Sequence, residues 1–507
     1  MNVKKSTISL IVPMAGEGSR FKAEGFECYK PFLKLAGKSM IEGVIEPFDG
    51  LSEIFILTTD AIYKKNKNLF NNLKANVSVV IIPEHKLGPA YSIYLARNIL
   101  PYDRAYAIAY CDVWWSSRDL NVETLLNFKA AIFVHRGFHP HLIADNFSAF
   151  CLEKKENDGS LLEIREKRSF TDDWMNEPVS IGVFFIRDGN LLFGAIERMI
   201  IDEGKVAGEF YPSIIFNDLV KSGIEVKLID VDSYIHIGVP SQFRDVSFWS
   251  NIIHENDVEN IPTESQLNCM LVGGSGSRMK EISEISKHLL PVNGSTMLEY
   301  VAKKFNCSKT IIVGAPNFRF FPKEESNYEV VTLPKKTNSH LETLIKSIEY
   351  LPDGKSILFT SCDCYGEVDW VGFNQLIILK DAKCGVFSFE KSLLNQKNKQ
   401  QHTTIKVIDH EVVDVDIKSK LKSYSDGLAG FFWFKNTYVI RELLETAELS
   451  NIEGELFLDH LILMMSTSKQ KPVCHKLKSY IHLGTPDEYN EFNYWNGRGS
   501  VLLAHEK

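Results

Sequence analysis

The chain has 507 residues, a formal net charge of −8 and 44% hydrophobic residues. That length exceeds one ordinary domain, so two domains are expected. The acidic balance, without a long basic run, argues against nucleic acid or an anionic membrane as the main partner, and no apolar stretch reaches the roughly 18 residues that span a bilayer.

Residues Met1 to Ser6 lead straight into an apolar run, so no signal peptide is expected. The nine cysteines are scattered and odd in number, as expected for reduced thiols in a cytoplasmic protein. Cys362 and Cys364 flank an aspartate, but no second Cys/His pair at zinc-finger spacing accompanies them.

Ile8 to Val12 reads as a buried strand. It ends in Ala15-Gly16-Glu17-Gly18-Ser19-Arg20. Glycines there let an anion approach the backbone, and successive amide N–H groups can line an anion-binding nest. Arg20 and Lys30 set two positive charges beside it. Ser39 and Glu42 have capping-box spacing, so a helix is expected to begin there.

Further on, Ile54–Leu57, Val77–Ile82 and Ala105–Tyr110 are short β-rich runs, with helix-length segments such as Ala90–Leu100 between them. The alternation implies an α/β fold with a mostly parallel sheet and helices on both faces. Asp112 follows the third run, at the strand end where α/β sheets bind ligands. A carboxylate there suits Mg²⁺, which takes one or two carboxylates plus phosphate oxygens and water. It could instead cap the next helix, a task open to Ser116 or Ser117 as well. Glu166-Lys167 reads equally as an ion pair on a surface strand, and Gly88-Pro89 as a strand-to-helix turn with Pro at the first helical position.

The opening motif returns at residues 268 to 298. Arg20 matches Arg278, Lys30 matches Lys287, Asp112 matches Asp363, Lys167 matches Lys418 and Gly182 matches Gly430. Gly208-Glu209 matches Gly454-Glu455, and the Ser-Tyr-Ile-His ending at His236 matches the one ending at His482. The offset only falls, from 258 to 246, so the matches are collinear. This is a duplicated domain. The acidic stretch 254–264 reads as a linker, with domains over 1–253 and 265–507.

The Gly16-x-Gly18-Ser19-Arg20 loop, Lys30-Pro31 and Gly37-Lys38-Ser39-Met40-Ile41 together resemble the signature of the sugar-phosphate nucleotidyltransferases, or nucleoside-diphosphate-sugar pyrophosphorylases. Tyr29 and Ser39 stand where that pattern usually has prolines. The resemblance implies two tandem Rossmann-like (GT-A-like) nucleotidyltransferase domains. It implies catalytic roles for Arg20, Lys30, Asp112 and Lys167. Nucleotide contacts would come from Met14, Ala15, Gly16, Glu17, Gly18, Ser19 and Cys111, with Gly88 against the base. Glu166 would hold a substrate hydroxyl, Lys167 the acceptor phosphate, and Gly182 would make room for substrate.

His236 stands where the family usually has a second metal-binding aspartate. Imidazole is a poorer ligand for Mg²⁺ than for softer ions such as Mn²⁺. This variant resembles capsule and surface-polysaccharide nucleotidyltransferases, including cytidylyltransferases. His139, in the loop His135–His141, belongs to a set of three histidines and an arginine that could hold an anionic acceptor or form an exposed loop.

The second copy keeps Gly274, Gly276, Arg278, Lys287, Asp363, Lys418 and His482. It has Ser339-His340-Leu341 for Gly88-Pro89-Ala90 and Ile417 for Glu166. It reads either as a second active site for another substrate or as a degenerate copy.

The expected reaction joins an NMP from CTP, UTP or dTTP to a phosphorylated sugar or other small phosphorylated acceptor, releasing pyrophosphate. Mg²⁺ is the expected cofactor, with Mn²⁺ the alternative, and a homo-oligomer is compatible. The other readings are a cytidylyltransferase for a non-sugar compound and a non-catalytic nucleotide-sugar-binding regulator. A glycosyltransferase would share the core but leaves Gly18-Ser19-Arg20 and Lys30 unexplained.

Overall fold

The computed structural model describes residues 8–254 and 266–503, apart from 52, 74–75, 119–121, 143–147, 155–158, 274–276, 306, 308, 317, 319, 321–327, 391–401, 419–423 and 447–455. The expected linker, and Gly274, Gly276 and Gly454-Glu455 of the second copy, therefore lie almost wholly outside the described residues. The chain divides into two units, Met1–His254 with Tyr494–Lys507, and Glu255–Asn493. The second domain expected from sequence ran to 507; the segment from Tyr494 onward groups with the first unit instead.

In the first unit the apolar run becomes the fully buried strand Ile8–Pro13, at the middle of a sheet of nine strands among the described residues. It pairs in parallel with Glu53–Thr59 and Ala105–Ala109, and Glu53–Thr59 pairs in parallel with Val77–Ile82. This is the expected parallel half. Beyond Ala105–Ala109 the sheet turns mixed. Val179–Ile186 runs antiparallel to Ala105–Ala109 and to Ala130–His135, and Ala149–Glu153 runs antiparallel to Leu161–Glu166. "Mostly parallel" is thus corrected to mixed. The physical reason is connection length: too few residues join Glu153 to Leu161 for a crossover helix, and antiparallel neighbours need none.

Apolar side chains line the sheet in a continuous core that includes Ile11, Leu57, Ile108, Ile132 and Phe184. Ser39 caps Met40–Ile45 with the full capping box to Glu42. A separate ribbon pairs Val113–Ser116 with Ser233–His236, with His236 opposite Val113.

Trp495–Gly499 forms a π-helical turn and Ser500–Leu503 a short helix, both grouped with the first unit. Trp495 is fully buried and stacks near-parallel to Trp249 on the helix Pro240–His254. The Tyr494 hydroxyl donates to the Tyr234 carbonyl.

The second unit has its own nine-stranded mixed sheet among the described residues. Its central strand Leu267–Val272 lies in parallel between Lys309–Gly314 and Ile357–Ser361. Thr296 caps Met297–Lys304 with a capping box to Glu299, as Ser39 does in the first unit. The ribbon also recurs, Cys364–Glu367 pairing with Ser479–His482 and His482 facing Cys364.

Candidate active site

A cleft of about 1680 Å³ opens at the C-terminal ends of the parallel strands of the first unit. Met14, Ala15, Gly16, Glu17, Gly18, Ser19, Arg20, Lys30, Gly88, Cys111, Asp112, Glu166, Lys167, Gly182 and His236 all line it.

The loop after the first strand forms one end. Its amide N–H groups from Gly16 to Ser19 find no backbone acceptor among the described residues. Nothing lies within 4 Å of where a Cβ on Gly16 would stand, so an anion can approach. Tyr29, the departure from the usual proline, has a structural task here. Its buried hydroxyl lies 2.9 Å from the Met14 carbonyl and 2.8 Å from the Gly16 carbonyl. Tying those carbonyls inward leaves the amides to the cleft.

At the floor, Lys30 Nζ stands 2.8 Å from Asp112 Oδ2, with side chains only 12% and 19% exposed. Burial, the largest single effect, raises the Asp112 carboxyl, but the Lys30 charge, the nearby His236 and the hydrogen bonds to the carboxylate together outweigh it and hold the pKa below the usual range. The ribbon register sets His236 beside Asp112, and the Ile237 amide donates to the Asp112 carbonyl at 2.9 Å. Burial takes the His236 pKa down to about 4, so its ring is a neutral donor at pH 7. Arg20 is exposed at the start of Ser19–Ala23, and its charge is felt at both His236 and Tyr211. Burial pushes the Cys111 thiol up to about 12, which leaves it an inert neighbour.

The other end gathers Glu166 and Lys167. Lys167 Nζ donates to the Tyr211 hydroxyl at 2.7 Å, which in turn donates to Glu209 at 2.8 Å. Ser213 donates to Glu166 at 2.5 Å, and burial raises the Glu166 pKa. Gly182 has φ +82°, and a Cβ there would come within 2.5 Å of the Tyr110 ring. Gly88 has φ +88°, and its Cβ would meet Glu209 and Phe210 at 2.8 Å. The turn at 85–90 is thus pressed against 209–210, and the Phe210 amide donates to the Leu87 carbonyl. Tyr211, Glu209 and Ser213 were missed in sequence; the repeat marked Gly208-Glu209 as an aligned pair without giving it a task.

His139 is corrected. It is 2% exposed and stacks on Tyr234 at 4.1 Å between centroids. Its Nε2 faces the Tyr234 carbonyl, and its Nδ1 accepts from the His141 amide. Burial drives its pKa far down, so it brings no positive charge. Arg136 is committed to Glu153 and Asp230. The three-histidine loop is therefore internal packing beneath the ribbon.

In the second unit Lys287 again pairs with Asp363, and Ser361 donates to the same carboxylate. Arg278 contributes its charge to Lys287. The other end differs. Lys418 Nζ lies 3.5 Å over the Phe457 ring, with no counterpart of the Tyr211 hydroxyl at that position. Ile417 packs on the core. Ser339 caps His340–Ser347 with its side chain, in place of the close backbone turn at Gly88.

The model of the MobA-like NTP transferase domain matches residues 10–170 and 269–371, just over half of the chain and once in each copy. The chain belongs to the MobA-like NTP transferase family. Nucleotidyl transfer is the chemistry that defines this family. Two curated relatives are the bifunctional protein GlmU of Methanococcus maripaludis, strains S2 and C5, each 25% identical. The matches cover 42% and 49% of this chain and 47% and 52% of those proteins, so the chain spans about half the length of the curated relatives it matches. Among solved structures, the nucleoside-diphosphate-sugar pyrophosphorylase of Vibrio cholerae RC9 aligns at 18% identity and TM-score 0.40, over 47% of this chain and 99% of that one. The CTP:phosphocholine cytidylyltransferase of Streptococcus pneumoniae aligns at 16% and 0.37, over 48% and 98%. No helix among the described residues is long and apolar enough to cross a membrane.

Proposed function

We propose that the first unit transfers an NMP from an NTP to a small phosphorylated acceptor, a sugar phosphate first, and releases pyrophosphate. The observation that carries this reading is the 2.8 Å Lys30–Asp112 contact at the cleft floor, between an anion-binding loop and Lys167. An acceptor phosphate is already an anion at neutral pH, so no general base is needed. One of its oxygens attacks the α-phosphorus; the new P–O bond forms as the α–β bridging P–O bond breaks. Catalysis reduces to in-line positioning and charge neutralisation.

The loop amides and Arg20 hold the β- and γ-phosphates and the departing pyrophosphate. Lys30 turns its charge from Asp112 to the α-phosphate as the nucleotide arrives. Lys167, steadied by Tyr211, orients the acceptor phosphate, and Glu166 takes an acceptor hydroxyl. Asp112 and the neutral ring of His236 form a donor set that fits a divalent ion; they would hold Mg²⁺, or Mn²⁺ more readily given the imidazole, and the bound ion supplies charge to the phosphate oxygens.

CTP, UTP or dTTP is the proposed donor. A precursor for surface polysaccharide is the proposed product, in keeping with the resemblance that His236 lends the motif. A panel of NTPs against phosphorylated acceptors, read by pyrophosphate release, tests the proposal; no pyrophosphate from any pair would refute it. The second unit, with Ile417, Phe457 and the Ser339 cap at the altered positions, is proposed not to run the same reaction.

A further inference from the structure

We infer that the second unit carries a transition-metal site of its own, built from His402, His482 and Glu488. Their donor atoms lie within 4.8 Å of one another. His402 and Glu488 are 9% and 8% exposed. His482 Nδ1 stands 2.6 Å from one oxygen of Glu488, and His402 Nε2 stands 3.4 Å from the other. Two imidazoles thus converge on one buried carboxylate, their rings 4.9 Å apart and near perpendicular. Two histidines and a carboxylate are a zinc-class donor set, with a fourth position left for water. Tetrahedral geometry at a Zn–N distance of about 2.0–2.1 Å needs donors roughly 3.3 Å apart.

The surroundings match what such a site needs. A metal-bound histidine usually gives its other ring N–H to a carboxylate. His482 Nε2 faces Asp363 Oδ2 at 3.9 Å, a charge contact longer than a hydrogen bond, and Asp363 is itself held by Lys287 and Ser361.

The first unit supplies a built-in contrast. Six residues after His236 comes Gln242, and six after His482 comes Glu488. Gln242 Oε1 accepts from the Gly238 and Val239 amides; Glu488 Oε2 accepts from the Thr485 amide and hydroxyl. Closing that turn therefore needs no charge. The charge at Glu488 is surplus to the turn and is aimed at two histidine rings. It serves a metal that Mg²⁺ cannot replace, because imidazoles suit the softer divalent ions. Asp363 is then an outer support for His482, which explains how the Lys287–Asp363 pair survives in a copy whose acceptor end has changed.

The test uses the full chain, stripped of metal and carrying Asp112→Asn so that the first unit does not contribute. Co²⁺ is titrated in and followed by visible d–d absorption. One equivalent should bind, be displaced by Zn²⁺ and raise the melting temperature. Glu488→Gln should fold, since glutamine does the same turn in the first unit, and should weaken Co²⁺ binding more than about a hundredfold, beyond the cost of losing an outer partner. His402→Gln should do likewise. Absence of Co²⁺ binding, or binding that persists in either variant, overturns the site and leaves a metal-free hydrogen-bonded cluster.

Discussion

Lys30→Ala and Lys287→Ala make the same change at equivalent places and should part company in one respect only. Each removes the cation of a buried pair, Lys30–Asp112 at 12% and 19% exposure and Lys287–Asp363 at 15% and 14%. Removing one partner of such a pair costs about 3–5 kcal/mol, because the carboxylate stays buried without its counter-charge. With residual exposure this similar, each variant should lose about 3 kcal/mol from its own unit. The pH sign follows from the carboxylates. In the wild type both pKa values are depressed, so both pairs add stability above the unfolded carboxylate range and lose it as pH falls through the folded values. Without the lysine, burial dominates and raises the carboxyl, so the deficit should be largest at neutral pH and shrink below about pH 4. Activity should separate the two. In the proposed reaction Lys30 meets charge developing at the α-phosphate, and losing such a contact costs about 3 kcal/mol of barrier, about a hundredfold or more in rate. Lys287→Ala should keep near wild-type pyrophosphate release. Pyrophosphate release at saturating NTP and acceptor, with melting curves from pH 4 to 8, reads both effects. Inactivation by Lys287→Ala, or Lys30→Ala retaining more than a tenth of the rate, would refute the reasoning.

Asp112→Asn removes a ligand charge at constant volume and should abolish turnover without unfolding the chain; near-normal turnover at saturating Mg²⁺ would sink the metal assignment, and partial recovery with Mn²⁺ would support His236 as a second ligand. Tyr29→Phe loses the bonds to the Met14 and Gly16 carbonyls and should cost about 1 kcal/mol of stability, with KM for NTP rising more than kcat falls, both by steady-state assay. Glu166 has a folded pKa raised by burial, so its favourable contribution is complete below the unfolded carboxylate value and is lost as pH rises through the folded one. Glu166→Gln should therefore melt higher than wild type at neutral pH, converge with it near pH 4, and lose acceptor affinity throughout.

Much of the site was legible because its parts sit at strand ends that local pattern marks. The apolar run Ile8–Val12, the glycine loop and Asp112 after Ala105–Tyr110 needed only burial and turn chemistry to be placed. The structure does bring Lys30 to Asp112, although 82 positions separate them. The capping boxes at Ser39 and Thr296 were local and were recovered whole. Strand direction was not legible, since an apolar run buried on both faces looks alike in parallel and antiparallel pairs. His139 misled because a histidine-rich loop has the same composition whether it holds an anion or packs under a tyrosine. Tyr211 and Ser213 act only through Lys167 and Glu166, contacts of 44 and 47 positions that no period in the sequence announces. The segment at 494–503 joined the first unit through Tyr494 and Trp495, aromatic residues that suit either core equally.

That last attachment sets an order of events during synthesis. The first unit is made in two instalments, with the whole second unit between them. Until Trp495 leaves the ribosome, its place beside Trp249 is unfilled and the Tyr234 carbonyl lacks the Tyr494 hydroxyl. At roughly 5–20 residues per second, the interval while the second unit is translated lasts some tens of seconds at the slower rates. Throughout it the strand bearing His236 lacks its final cover, so a nascent chain would finish packing that strand only after the second copy had been made.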